Sequence, residues 1–301
     1  MKNLIRMTWN RYVPYKFREC LSIGKRLKLR QIDFDKKILQ IEENYGDCQD
    51  VEIQQCISFM RQHKKINVFN GAFTTKYDKV DIDVNRDKDG FPYVLWEGKE
   101  LYFPQSFSDA ETRDYTRRLM IEQDIDSPHC YLDDICNVNK EDIVFDCGGA
   151  EGNFALSIID KIKYVVIFEC EEQWIRALEK TFEKYKDKVT IAKHFVCGKT
   201  EGDYISLDEY AERNNIWPTF VKMDIEGAEI DALQGMRKII HNQNNLKCSI
   251  CTYHRKNDLE EIKDLLKENF TWKISNGYML LENEQGIYFA RGLIRCMKKM
   301  M

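Results

Sequence analysis

No apolar run in this chain approaches the roughly 20 residues that a helix needs to cross a bilayer. The first residues, MKNLIRMTWNRYVPYKF, show neither a continuous apolar stretch nor a small-residue cleavage site, so no secretory signal is expected. Both absences lead to the expectation of a cytoplasmic protein. A disulfide framework is missing as well. The 11 cysteines are spread over 301 residues and odd in number, and Cys147, Cys170, Cys197 and Cys248 sit inside apolar runs, where thiols pack as small hydrophobes. Cys248 and Cys251 form a CxxC, yet KCSICTYH reads as a strand, whereas a redox pair opens a helix and a zinc site needs a second pair.

What is present is the composition of an ordinary globule, 43% apolar and 32% charged, with enough length to bury a sizeable core. The net charge of -4 conceals an asymmetry, because residues 1–30 carry nine Lys or Arg against one acid, Glu19. Such a leader could touch a membrane surface of anionic lipid. A solvated face, or a segment folded back on its own acidic domain, is the plainer reading.

From Phe34 to Lys64 the apolar spacing of Ile53, Cys56, Ile57 and Met60 is helical, and Gly46 and Asp47 break it into a helical hairpin. DIDVNRDKDG, residues 81–90, begins like a calcium loop with Asn85, Asp87, Asp89 and Gly90. Pro92 and Trp96 then stand where the loop needs a backbone pairing and a bidentate Glu. Asp89-Gly90 is instead a hairpin turn between extended segments. SDAE, Ser108 to Glu111, is a capping box that opens a helix running to about Asp124. The extended stretch EQDIDSPHCY follows, placed to lid a ligand, with His129 read as structural.

From Asp142 the chain alternates strand and helix. The strands DIVFD, YVVIFE, VTIAKHFV, TFVKMD and CSICTYH are linked through helices, with SLDEYAERN as a link and a box from Asn257 to Glu260 opening the last helix. Such crossovers build a doubly wound parallel sheet. TWKISNGYMLL and IYFARGLIRC are separated by only a short turn, so they must pair antiparallel at its edge.

The turn between the first strand and helix, IVFDCGGAEGNF, lies where α/β sheets receive cofactors. It lacks the GxGxxG fingerprint: the pattern fails at Ala150 from Gly148 and at Glu151 from Gly149. What stands there is D-x-G-x-x-x-G, from Asp146 to Gly152, with an acid where a pyrophosphate would need room. Glu151 repels phosphate and tolerates a cationic cofactor, as S-adenosylmethionine is. Glu169, ending the next strand, can accept hydrogen bonds from ribose hydroxyls. VKMDIEGAE puts Lys222, Asp224, Glu226 and Glu229 at the same sheet edge. Asp224 and Glu226 are open to three uses there: orienting a hydroxyl, capping the helix or holding a divalent cation. His254, ending the next strand, is a candidate base for an alcohol that must lose its proton. No D/N-P-P-aromatic tetrapeptide is present to grip a planar nitrogen, so oxygen is the expected acceptor.

In this order and spacing, the FVFD-like strand with its glycine turn, SLDEY, VKMDIEGAEIDALQG and TYHRKNDL resemble the FkbM family of S-adenosylmethionine-dependent methyltransferases. The resemblance runs from about Gln123 to Asn269, and KMDIEGAE is its most specific part. It implies a seven-stranded class I methyltransferase fold and O-methylation of a hydroxyl on a sugar, glycan or secondary metabolite. Carried over by position, it makes Asp146, Gly148 and Gly152 the methionine-side turn, Glu169 the ribose ligand, and Asp224, Glu226 and His254 the residues facing the acceptor. The family turn usually reads DxGANxG, where this chain has Ala150 and Glu151, and Cys170 replaces a proline common after the ribose acid.

The expected fold is therefore α/β: a doubly wound, mostly parallel sheet of seven strands with an antiparallel C-terminal edge hairpin, Rossmann-like. Residues 1–135 form an N-terminal helical and β-hairpin segment that caps the pocket or binds the acceptor, and residues 136–301 form the methyltransferase domain. The cofactor set is Asp146, Gly148, Gly149, Gly152, Asn153 and Glu169, and the catalytic set Asp224, Glu226 and His254. No metal and no nucleic acid is assigned; the partner is a small-molecule or glycan acceptor. Two other readings stay open, a nicotinamide oxidoreductase and a non-catalytic module that keeps the cofactor fold.

Overall fold

The computed structural model describes residues 34–255, 257–283 and 286–299; the basic leader, with the membrane contact considered for it, lies outside them. Helices α1 (Phe34–Tyr45) and α2 (Val51–His63) form the expected hairpin. Asp50 caps α2, its Oδ1 accepting the N–H groups of Glu52 at 2.9 Å and Ile53 at 3.4 Å, two of the donors that a helix start leaves open. The apolar faces of the pair, with Ile38, Ile41, Ile57 and Met60, close on Leu280 and Ile287 from the far end of the chain.

Strands β1 (Asn85–Arg86), β2 (Pro92–Trp96) and β3 (Lys99–Tyr102) make an antiparallel meander. Between β1 and β2, Gly90 adopts φ +84° and Asp87 Oδ1 accepts the N–H groups of Asp89 at 3.0 Å and Phe91 at 2.9 Å. The positive charge that a calcium loop would take from an ion comes here from Lys180, whose ammonium pairs with Asp87 and Asp89. Helix α3 (Asp109–Glu122) opens on the capping box: Ser108 Oγ accepts the Glu111 N–H at 3.2 Å and Glu111 Oε2 accepts the Ser108 N–H at 2.8 Å. Ser108→Ala should therefore lower stability by about 1 kcal/mol, read as a lower urea midpoint at constant slope; an unmoved midpoint would show that the cap contributes nothing.

The main sheet begins with β4 (Ile143–Cys147), followed by α4 (Asn153–Ile158), β5 (Tyr164–Phe168), α5 (Glu172–Thr181) and β6 (Val189–Ala192). A two-stranded ribbon of β7 (Phe195–Val196) and β8 (Tyr204–Ile205) precedes α6 (Leu207–Asn214) and β9 (Phe220–Met223). Helices α7 (Glu229–Gln234) and α8 (Arg237–Asn242) lead to β10 (Lys247–Cys251) and α9 (Asp258–Leu266). The chain then runs through β11 (Phe270–Ile274), β12 (Met279–Asn283), β13 (Gly286–Ala290) and β14 (Leu293–Lys298).

Seven of these strands form one sheet in the order β11-β14-β10-β9-β4-β5-β6. The five helix-linked strands are parallel, and β14 lies antiparallel between β10 and β11. Central strands such as IVFDC, FVKM and KCSIC are buried nearly throughout, as strands covered on both faces must be. Two apolar clusters, around Val144, Leu156 and Leu178 on one side and Phe145, Val221 and Ile262 on the other, form the layers.

The expected edge pair is antiparallel, but it is split. β11 and β14 belong to the main sheet, whereas β12 and β13 leave it as a separate hairpin, after Gly277 at φ +77° and before Gly292, where a Cβ would lie 2.1 Å from the Pro128 carbonyl oxygen. That hairpin carries Leu280 and Ile287 to α1 and α2. The link SLDEYAERN is a helix, capped by Ser206. The box at Asn257 does not form; no side chain caps that helix, and Asp258 Oδ2 instead accepts the Arg255 N–H at 2.7 Å. No helix among the described residues is long and apolar enough to cross a membrane.

Candidate active site

The strand order reverses between β4 and β9, and in open α/β sheets the crevice outside the carboxyl ends at such a point receives the ligand. Asp146 near the end of β4 stands in register with Lys222 on β9. Their charged groups are 3.0 Å apart and both residues are buried. Lys222 Nζ also donates to the Gly148 carbonyl at 2.7 Å, so this lysine is a strut inside the turn. Asp146 Oδ2 accepts no hydrogen bond among the described residues.

The glycines of the turn are required by the chain itself. Gly148 has φ +79°, and a Cβ there would lie 1.9 Å from the Asp224 carbonyl oxygen. At Gly149 it would meet Ile167 at 2.2 Å, and at Gly152 Leu178 at 2.6 Å. Ala150 also takes a left-handed φ of +46°, which turns its N–H onto Glu169 Oε2 at 2.8 Å. Glu169 Oε1 accepts the N–H groups of Cys170 at 2.8 Å and Glu171 at 2.9 Å. A carboxylate oxygen can accept two hydrogen bonds, so Oε2 retains capacity for a hydroxyl. Glu151 is buried and accepts the Tyr115 O–H at 2.8 Å. Asn153 is buried at the start of α4, its Oδ1 on the Phe154 N–H at 2.6 Å.

Across the crevice the centre is Asp224, just beyond β9. Its Oδ2 accepts the Tyr131 O–H at 2.7 Å and its Oδ1 the Tyr253 O–H at 3.3 Å. His129 Nε2 lies 2.9 Å from the Tyr253 hydroxyl. Burial, and then the Asp224 charge, push both phenols well above their usual 10, so they act as donors. Glu226 holds a left-handed φ of +60° next to Gly227 at +95°. Neither Asp224 nor Glu226 caps α7, which has no side-chain cap; Glu229 Oε1 instead accepts the Ile225 N–H at 2.9 Å.

His254 is set among three carboxylates. Its Nε2 lies 3.4 Å from Asp224 Oδ1 and 3.5 Å from Glu226 Oε2, and its Nδ1 lies 2.9 Å from Glu229 Oε1. Burial alone would strip the proton from the ring, but Glu229, Asp224 and Glu226 outweigh it and hold the pKa well above 6.5. Ligand atoms of Asp224, Glu229 and His254 lie within 4.8 Å of one another.

The structure thus brings Asp224, Glu226 and His254 together beside the turn that carries Asp146, Gly148, Gly149, Gly152 and Asn153, with Glu169 bonded to that turn. Sequence reasoning did not single out Tyr115, Tyr131 and Tyr253, and it gave Glu229 no role at the His254 ring. Only SPHCY, flagged as a lid, hinted at Tyr131 and at a polar role for His129.

The description of the methyltransferase FkbM domain matches residues 98–271, more than half of the chain. No curated protein matches it. Among solved structures, methyltransferase FkbM from Methylobacillus flagellatus KT is 21% identical, with a TM-score of 0.40 over 54% of this chain and 44% of that one. The chain therefore spans less than half of that protein. The precorrin-6y C5,15-methyltransferase of Geobacter metallireducens GS-15 is 7% identical, with a TM-score of 0.38 over 55% of this chain and 84% of that one. A Streptococcus mutans protein assigned to the methyltransferases, in complex with SAH, is 16% identical, with a TM-score of 0.37 over 54% and 91%.

Proposed function

The chain belongs to the FkbM methyltransferase family, and from that premise we propose that it is an S-adenosylmethionine-dependent O-methyltransferase acting on a hydroxyl of a sugar, glycan or secondary metabolite. The observation that carries this reading is the His254 ring held by Asp224, Glu226 and Glu229 at the sheet edge next to the glycine turn.

The residues at the switch point fit the cofactor. They offer the carboxylates of Glu151, Glu169 and Asp224, and the lysine nearest the turn is committed to Asp146 and to the Gly148 carbonyl. That set disfavours phosphate and suits a cationic, phosphate-free molecule. Glu169 would hold the ribose and the Asp146 to Gly152 turn the methionine portion. When bound, S-adenosylmethionine supplies an activated methyl group.

An alcohol that takes a methyl group must lose its proton, and two features of the chain serve this. Asp224 and Glu226 orient the hydroxyl, and the neutral fraction of His254 accepts the proton, with Glu229 on Nδ1 fixing the ring. Most of the acceleration comes from holding the reactants in line. The segment before residue 136, together with the β12–β13 hairpin, would close the acceptor side, where Phe69, Met279 and Leu281 cluster near Tyr253 and Tyr288.

Calorimetry with S-adenosylmethionine, S-adenosylhomocysteine and NAD tests the cofactor, and transfer of a labelled methyl group to an extract of small molecules and glycans tests the acceptor. Binding of the two adenosyl ligands is the expected result. Tight binding of NAD alone would overturn the proposal, and label appearing only on nitrogen would overturn the oxygen acceptor.

A further inference from the structure

We propose that Tyr253 is a positioning residue of the base: its O–H, set by His129, keeps one oxygen of the Asp224 carboxylate from closing on the His254 ring. The inference rests on the reading of His254 as base above and concerns how firmly that ring is held. Asp224 Oδ1 stands between two groups, 3.3 Å from the Tyr253 oxygen and 3.4 Å from His254 Nε2. A charge-assisted bond from N–H to a carboxylate closes to about 2.7–2.9 Å, so the imidazole side of this oxygen is held open. The other oxygen, Oδ2, accepts the Tyr131 O–H at 2.7 Å, and a phenol on each oxygen holds the carboxylate against rotation.

The chain of donors has a direction. A phenol carries one O–H; given to Asp224, it leaves the Tyr253 oxygen to accept from His129 Nε2, 2.9 Å away. Linked hydrogen bonds polarise one another, so His129 strengthens the bond from Tyr253 to Asp224. Backbone contacts set the place of His129. Its N–H donates to Ser127 Oγ at 3.2 Å, its carbonyl accepts from Gln123 Nε2 at 3.3 Å, and Gly292 packs against the Pro128 carbonyl. The segment EQDIDSPHCY thus reaches the base through one tyrosine, whose ring lies 4.3 Å from the His254 ring.

The His254 ring also meets Glu226 at 3.5 Å from Nε2 and Glu229 at 2.9 Å from Nδ1. Asp258 and Tyr288 act on it electrostatically, and Arg255 is its neighbour in the chain. Substitution of Tyr253 by phenylalanine removes none of these groups. It leaves Oδ1 with one donor fewer, so the carboxylate draws the Nε2 proton more strongly and less of the ring is free to act as base.

The test reads the two ring N–H protons of His254 by NMR on the full chain with nitrogen-labelled histidine, at about pH 6, where the ring is protonated. His254→Gln assigns them, and the wild type is compared with Tyr253→Phe, His129→Leu and His129→Gln, with melting temperatures to confirm folding. In Tyr253→Phe the Nε2 proton should move downfield, the mark of a stronger hydrogen bond, while the Nδ1 proton beside Glu229 stays in place. His129→Leu should repeat the shift in smaller measure, and His129→Gln, which keeps an N–H donor, should restore the wild-type position. Labelled methyl transfer from S-adenosylmethionine to the extract of small molecules and glycans should fall by about tenfold in Tyr253→Phe, the worth of one hydrogen bond to a charged group. Should Tyr253→Phe fail to melt cooperatively, the two His129 variants decide. An unmoved Nε2 proton, or equal movement of both ring protons, would mark a merely structural tyrosine and overturn the inference. A wild type that transfers label to nothing would overturn the methyltransferase reading itself, whereas wild-type transfer that is insensitive to these substitutions would overturn this inference alone.

Discussion

Replacing His254 by alanine should lower kcat by roughly 10²–10⁴-fold, the range for loss of a positioned acid–base group, while S-adenosylhomocysteine affinity stays within about twofold if His254 faces the acceptor as proposed. The rate should also depend on pH in a way set by the ring's neighbours. Burial disfavours the charged ring, yet Glu229, Asp224 and Glu226 outweigh burial and keep it protonated well above 6.5. Only the neutral fraction can accept a proton, so kcat should rise with pH on the alkaline side of 6.5 until the folded-state pKa is passed. Stability should move the opposite way. The folded pKa is raised above the unfolded one, so the ring's contribution is full below about 6.5 and is lost as pH climbs through the folded value. Urea melts of the wild type at about pH 6 and about pH 9 should show that loss, and His254→Gln should lack it. An identical pH dependence in wild type and variant would show that the ring carries no trapped proton, and unaltered turnover in the alanine variant would remove it as base.

The parts of this site that were legible in the sequence are those fixed by short-range rules. Buried parallel strands read as continuous apolar runs, and the glycine turn reads from its spacing, so Asp146, Glu169 and Asp224 could be placed at strand ends without coordinates, whereas His254, read as the end of CSICTYH, lies three residues beyond β10, which stops at Cys251. Tyr131 and Tyr253 could not be chosen from the chain's other tyrosines, because their roles come only from meeting at Asp224. The Glu229 contact with the imidazole was hidden for a similar reason. A glutamate at a helix start reads as a helix-dipole residue, and its second partner lies on another strand. Helices α1 and α2 were visible as amphipathic segments, but their covering hairpin arrives more than 200 residues later, held by Tyr278 to Asp50 at 2.7 Å and Arg291 to Glu52. The split of the last strand pair follows from Gly277 and from the close approach of Gly292 to Pro128, neither of which interrupts the apolar pattern enough to be read as a break.

Gly148→Ala should destabilise the protein by about 2–5 kcal/mol, adding about 1–2 for a left-handed alanine to about 1–3 for an overpacked contact, and it should weaken adenosyl-ligand binding further. At φ +79° an alanine Cβ would lie 1.9 Å from the Asp224 carbonyl oxygen and 3.0 Å from its carbonyl carbon. The obstacle is backbone, so no side-chain rotation relieves it, and β4 and the segment after β9 must separate. That separation would reach both halves of the site. On one side it disturbs the Gly148 carbonyl bonded by Lys222, and on the other the segment that aims the Asp224 carboxylate at Tyr131. Gly202, also at a left-handed φ of +58° but with nothing within 4 Å of its added Cβ, is the control. Gly202→Ala should cost only the backbone term, about 1–2 kcal/mol, with ligand affinity intact. Equal losses in the two variants by denaturant titration would show that backbone conformation alone makes Gly148 necessary. A larger loss at Gly148, accompanied by weaker binding, would establish that the glycine is there because the Asp146 to Gly152 turn and the backbone of Asp224 share one point of contact.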